Sequence, residues 1–137
     1  MSVVLLRHAW AGERTDWAGD DMSRPLDERG RQQALALSDL AQWGVGRVVS
    51  SPYRRCIESV EPLARVLGIP IELDDRLTEG ATQPQTLALL AELDGGLACT
   101  HGDVIEAVLG YGLRKGAAVI TTVGPDGAEV LEALPAP

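Results

Sequence analysis

The chain has 137 residues, of which 45% are hydrophobic and 23% charged, and its 12 basic and 20 acidic side chains leave a formal charge of −8. That composition excludes a disordered chain, and the length suits one domain spanning residues 1–137. The negative balance argues against nucleic acid and anionic membranes as partners, since both need a positive field. Phe is absent and aromatics make up only 4%, so the core must come from Leu, Val, Ile and Ala. Eleven of the twelve basic residues are Arg, the side chain best shaped to grip phosphate or carboxylate with a fork of donors. Cys56 and Cys99 fit no Cys-x-x-Cys spacing, and no apolar run reaches membrane length. A reduced, cytoplasmic setting is the expectation.

Ser2 to Leu6 is an unbroken apolar run rich in β-branched residues, which reads as a strand buried on both faces. Ala9 to Pro25 lacks periodicity and reads as a loop. Asp27 is a helix N-cap, with Ala34, Leu37 and Ala41 on one face and Gly44 as the stop after Trp43. Arg47 to Ser50 is a second strand. Ser51 then caps a helix with Pro52 at its first position, where the missing N–H costs nothing. Its buried stripe is Tyr53, Cys56, Ile57, Val60, Ala64 and Leu67, Pro62 kinks it, and Gly68 ends it. Ile69 to Leu73 is a third strand. Pro84 opens a helix to about Leu93. Leu97 to Thr100 is a fourth strand, followed by a helix from about Val104 to Leu113. Ala117 to Thr122 and Ala128 to Leu134 flank Gly124-Pro125-Asp126-Gly127, a hairpin signal. Leu134 to Pro137 reads as a frayed tail. Strand and helix alternate four times, which predicts a three-layer α/β/α fold. Its central sheet is mostly parallel, with helices on both faces and a C-terminal hairpin.

The only histidines, His8 and His101, each follow a buried strand, as Leu5-Leu6-Arg7-His8 and Ala98-Cys99-Thr100-His101. Ligands of open α/β sheets bind beyond the carboxyl ends of strands, so the two imidazoles are expected in one crevice. A third strand end, Ser50-Ser51-Pro52, is followed by Arg54 and Arg55. Imidazoles, guanidiniums and helix N-termini together make a receptor for a tetrahedral dianion, most simply a phosphoryl group. Taken singly, each residue has a plainer reading: a structural His, a surface Arg7, a solvated helix face. Asp20-Asp21 and Asp74-Asp75 read as hydrated loop pairs, and zinc spacings are missing. Cys56 falls on the apolar stripe and reads as core.

Arg7-His8-Ala9, Ser50-Ser51-Pro52-x-x-Arg55 and Thr100-His101-Gly102, in that order, resemble the histidine phosphatase (phosphoglycerate-mutase-like) superfamily. Arg24-Pro25-Leu26-x-x-x-Gly30 is similar to the SixA branch of small phosphohistidine phosphatases. Arg7-His8-Ala9-x-Ala11-Gly12 with Gly19-Asp20-Asp21 and Arg24-Pro25-Leu26-Asp27 is also similar to the phosphatase half of certain two-domain Nudix proteins. The resemblance implies a phosphoglycerate-mutase-like fold and a phosphatase that uses neither metal nor organic cofactor. It makes His8 the nucleophile, carrying the phosphoryl group as phosphohistidine. Arg7, Arg55 and His101 would hold the non-bridging oxygens. Arg55 fits the family spacing and Arg54 does not. Arg54 would point about 100° away on the helix.

The family supplies its general acid after the third strand, where Glu79 is the candidate; a hydrated loop carboxylate is the alternative. Arg14 is a candidate phosphate contact by analogy with relatives, against a solvated loop charge. Attack requires His8 to keep one ring nitrogen bare while the other donates to a carbonyl or carboxylate. His101 is expected to be protonated. The implied partners are a phosphorylated small molecule or a phosphoprotein, with functional association with a Nudix-type hydrolase. Arg-His-Ala replaces the commoner Arg-His-Gly, and no insertion long enough for a lid is evident. An open site fits hydrolysis better than mutase action. A phosphate-binding module with little turnover is the competing reading, and a small phosphoglycerate mutase the third.

Overall fold

The structure, a computed structural model, describes residues 2–137; Met1 lies outside the described residues. Its elements run β1 (Val3–Arg7), α1 (Glu28–Leu37), β2 (Val48–Ser50), α2 (Arg54–Leu67), β3 (Ile71–Leu73), α3 (Gln83–Glu92), β4 (Leu97–Thr100), α4 (Gly102–Leu109), β5 (Ala118–Gly124) and β6 (Gly127–Leu134). Short 3-10 turns fill the long first loop and extend α1 to Trp43, where Gly44 adopts a left-handed conformation and stops the chain.

One sheet has the order β3-β2-β4-β1-β5-β6. The first four strands are mutually parallel, and β5 and β6 run antiparallel as the terminal hairpin. Alternation along β1 explains the three layers, because successive strand side chains point to opposite faces. Val4 and Leu6 join Leu97, Cys99, Val48 and residues of α1 and α2 in one core. Val3 and Leu5 join Ala98, Val49, Val119 and residues of α3 and α4 in the other. The unbroken apolar run at the N-terminus is therefore what a two-sided strand requires. Among the described residues, no helix is long and apolar enough to cross a membrane.

Several boundaries differ from expectation. Helix α2 starts at Arg54, and its N-cap is Tyr53, with no side-chain cap. Ser51 has another task, accepting the Tyr53 amide and pairing with an imidazole. The helix continues through Pro62. Arg55 and Ser59 are buried beside the expected apolar stripe, whereas Tyr53, Ile57 and Leu67 are only half-buried. Helix α4 begins two residues early, directly after His101, and Gly110 closes it in a left-handed conformation. The terminal segment is not frayed. Leu134 belongs to β6, and the Pro137 carbonyl accepts from Gln33 Nε2 at 3.4 Å.

The segment after β1 is sewn to the start of α1. The Asp27 carboxylate accepts from the Gly30 amide at 2.8 Å and the Gly12 amide at 3.1 Å, while the Trp10 carbonyl accepts from the Asp27 amide at 3.1 Å. Gly30 allows this contact, because a Cβ there would lie 1.8 Å from the Trp10 carbonyl oxygen. We expect Gly30→Ala to lower the unfolding free energy by about 1–3 kcal/mol, the usual cost of overpacking. Gln32→Ala, on the exposed face of the same helix, should stay within about 0.5 kcal/mol. Urea unfolding compares the two, and equal midpoints would contradict the packing.

Candidate active site

Three neighbouring parallel strands end at one place. The register pairs Arg7 with Thr100 and Ser50 with Cys99, so the next residue of each strand, His8, His101 and Ser51, enters the same crevice. The His8 and His101 ring centroids are 5.4 Å apart. A cavity of about 280 Å³ is lined by Arg7, His8, Arg14, Arg55, Glu79 and His101 among others. Every residue proposed from the sequence thus lies on one cleft.

His8 is 6% exposed, and its amide donates to the Thr100 carbonyl at 3.0 Å. Its Nδ1 lies 2.7 Å from the Ala9 carbonyl oxygen. A carbonyl only accepts, so Nδ1 carries the proton and Nε2 is left with its lone pair. Burial pushes the His8 pKa down to about 3, and the Arg55, Arg7 and Lys115 charges act in the same direction against the Ala9 hydrogen bond. Nε2 of His8 is therefore bare at neutral pH.

His101 corrects an expectation. Burial, then the neighbouring His8 and Arg55, push its pKa down to about 2, so it is neutral rather than protonated. Its Nε2 pairs with the Ser51 hydroxyl at 2.8 Å and lies 3.6 Å from Cys56 Sγ. The 3.6 Å approach of Nδ1 to Glu79 is accordingly not an ion pair. Cys56 is fully buried in the core, as expected, and burial raises the Cys99 thiol well above its ordinary range.

Arg55 is 1% exposed. It donates to the Asp21 carbonyl at 2.8 Å, to the Asp21 carboxylate at 3.1 Å and to Glu79 at 2.7 Å, and its guanidinium lies over the Tyr53 ring. Arg54 is exposed and pairs with Glu58. Arg7 donates to the Leu113 carbonyl at 2.7 Å, and burial lowers its pKa against the pull of Glu106 and Asp103. Arg14 sits at the rim, 63% exposed, within 3.1 Å of Glu79 and 3.3 Å of Asp21. Glu79 points inward, held by Thr100 Oγ1 donating to the Leu77 carbonyl and by the Gly80 amide donating to Asp103.

Asp21 was not expected here. It pairs with Arg24, Arg55 and Arg14 instead of being hydrated. Burial would raise its pKa, but the Arg24 hydrogen bond and the charges of Arg55, Arg24 and Arg14 hold it below the ordinary value. Two further residues, Arg24 and Ser59, support the site without having been proposed for it from the sequence. Buried Arg24 donates to the Ala11 and Gly12 carbonyls, clamping the loop after His8. Ser59 Oγ accepts the Ala9 amide and donates to the Arg55 carbonyl, tying the segment after His8 to α2. Only the polar character of Ser59 on an apolar stripe hints at its role. Gly102 lets Arg7 lie against the start of α4, since a Cβ there would meet its guanidinium at 2.9 Å.

Among the described residues, three buried side-chain nitrogens have no hydrogen-bond partner: Arg7 Nε, Arg55 Nε and His101 Nδ1. All belong to residues that line this cleft. Buried polar groups left unpaired cost about 1–3 kcal/mol each, and their concentration at one point marks a binding centre. No cluster of three or more His, Cys, Asp or Glu among the described residues is arranged to hold a metal ion.

This arrangement agrees with the comparisons. The model of the histidine phosphatase superfamily (branch 1) matches residues 3–94, and the chain belongs to that superfamily. The match ends before β4, so it is the pairing of β1 with β4 that brings His101 to the site. The 8-oxo-(d)GTP phosphatase of Mycolicibacterium smegmatis is 34% identical over 116 residues, covering 79% of this chain. The chain spans only 36% of that relative's length. The structure assigned to SixA phosphohistidine phosphatase from Agrobacterium tumefaciens has a TM-score of 0.76 at 25% identity, covering 99% of this chain and 97% of that one. The protein histidine phosphatase SixA complexed with tungstate has a TM-score of 0.80 over 98% and 97% of the two chains. Its 21% identity speaks for the fold alone.

The two imidazoles make stability pH-dependent. Both are neutral in the fold, whereas in the unfolded chain they titrate near 6.5. Below pH 6.5 the unfolded chain binds more protons, so stability falls as pH drops through the window from 6.5 toward 3. At pH 5 the loss is about 2 kcal/mol per imidazole. We expect His8→Gln to narrow the difference in urea stability between pH 7 and pH 5 by about that amount. An unchanged difference would contradict a buried neutral His8.

Proposed function

We propose that the protein hydrolyses phosphorylated substrates without a metal ion, through a phosphoryl group carried on His8 Nε2. The observation that carries this reading is the convergence of three unpartnered buried nitrogens on the residues around a bare imidazole. Phosphoryl oxygens are the natural partners of Arg7, Arg55 and His101, and they would supply the negative charge that the site's cations favour. As a dianion binds, it also favours the protonated form of His101, so that imidazole becomes a donor in the occupied site.

In the first step, the Nε2 lone pair attacks phosphorus and the bond to the leaving oxygen breaks. Glu79, protonated from solvent once the phosphoryl oxygens displace it from Arg55, gives that proton to the leaving oxygen. In the second step, water attacks phosphorus, Glu79 takes a proton from the water, and the N–P bond breaks. Orthophosphate leaves and His8 returns to its neutral state. Phosphoryl oxygens compete with Glu79 for Arg55, which frees the carboxyl to carry the proton. The inward position of Glu79, within 2.7 Å of Arg55, favours this reading over a phosphate-binding module, because the acid lies in the cleft. Arg14 guides the anion at the rim.

The open cleft suits a phosphohistidine side chain, the substrate implied by likeness to SixA. A second reading, a phosphorylated small molecule of nucleotide type, is favoured by the relative named 8-oxo-(d)GTP phosphatase. On that reading a Nudix-type hydrolase is the expected functional partner and the setting is cytoplasmic.

The test is turnover of an alkyl phosphate and a phosphohistidine protein in excess chelator. Wild type should remain active, and His8→Ala should lose at least about a thousandfold with both. Glu79→Gln should slow the alkyl phosphate by about 10²–10⁴-fold and the phosphohistidine far less, because imidazole leaves more readily than an alkoxide. Wild-type rates in His8→Ala would defeat the covalent route. Phosphate binding with no turnover of either substrate would favour the binding module.

A further inference from the structure

A second cavity, of about 820 Å³, opens beside the catalytic cleft, and Arg7 and Lys115 line both spaces. Its charge is unusual for a chain of net charge −8. Most arginines are paired with carboxylates. Among the described residues, the side-chain cations without a carboxylate partner are Arg7, Arg29, Arg65, Arg114 and Lys115. Four of these five line this larger cavity, and no Asp or Glu does, although the terminal residue Pro137 also forms part of its wall.

The cations are also held in place. Arg29 and Lys115 each lie 4.2 Å from the centroid of the Trp10 ring, a contact that restrains long side chains at low entropic cost. Arg7 is tied to the Leu113 carbonyl. The rest of the wall is largely apolar, including Leu113 and Pro135. Like charges gathered in a partly apolar recess repel one another and are stabilised by a multivalent anion.

We propose that this cavity is a leaving-group subsite for an organic phosphate with a further anionic group beyond the phosphate that reacts. This rests on the reading of His8 as nucleophile and deepens it. With the scissile phosphate held at His8 by Arg7, Lys115, which lines both spaces, would take the next phosphate. Arg29 and Arg114 line only the larger space, where they would meet a further anionic group, and its apolar wall would accommodate the organic body. Nucleoside diphosphates belong to this class.

The probe is a nucleoside diphosphate with a methylene group between its phosphorus atoms, titrated calorimetrically against wild type and Arg29→Gln/Arg114→Gln. Both substituted residues are exposed and outside the catalytic cleft. The double variant should bind the diphosphate at least about tenfold more weakly, with a shallower salt dependence, yet bind orthophosphate as wild type does. It should also hydrolyse p-nitrophenyl phosphate at the wild-type rate. Equal diphosphate affinity in the two proteins would overturn the subsite. Diphosphate binding that orthophosphate cannot displace, combined with wild-type hydrolysis in His8→Ala, would overturn the reading of His8 and leave the cation cavity standing. If the variant loses both affinities together, the arginines support the fold rather than the subsite; each single variant, checked by its unfolding midpoint, exposes that case and counts against the proposal.

Discussion

The register between β1 and β4 is the constraint on which the site depends. Pairing Arg7 with Thr100 makes His8 and His101, far apart along the chain, the next residues at two adjacent strand ends. Parallel pairing leaves both side chains at the carboxyl edge, where the sheet no longer covers them and helices begin. A slip of one residue would turn the apolar set of β1 toward the wrong core and carry the imidazoles with it. Packing on both faces of β1 therefore fixes the catalytic geometry as well as the fold.

Convergence has an electrostatic cost. Arg55 is almost completely buried beside Arg7 and two imidazoles, and burial without compensation would be severe. The protein answers in two ways. The imidazoles remain neutral, and Asp21 and Glu79 supply carboxylates to Arg55. These carboxylates occupy donors that a phosphoryl group would use. On the proposed route, binding is therefore an exchange of partners around Arg55, and Glu79 serves as counter-ion before binding and as proton carrier afterwards.

Much of this was legible in the sequence, for identifiable reasons. Strands with one continuous apolar character, β1 and β4, were readable because both faces are buried. His8, His101 and Arg55 were readable because the strand-end motifs keep them local. What escaped depends on contacts between distant segments. Asp21 looked like a hydrated loop acid because its three arginine partners include Arg55, on α2. Arg24 looked like part of a motif, and its hold on the Ala11 and Gly12 carbonyls appears only when the loop closes. The start of α2 was misplaced because Ser51 resembles an N-cap, yet its hydroxyl is committed to His101. The neutrality of His101 in this structure follows first from burial, which a strand-end motif does not reveal.

The central claim is that the bare nitrogen of His8 receives the phosphoryl group. It is tested most directly by quenching the enzyme in alkali during turnover, digesting it, and locating the phosphate by mass spectrometry under conditions that preserve N–P bonds. The account predicts phosphate on the peptide containing His8, at Nε2 and not Nδ1, and its absence when His101 stands alone in the His8→Ala protein. Phosphate on another residue during productive turnover, or full turnover with no modified peptide at any time, would contradict it.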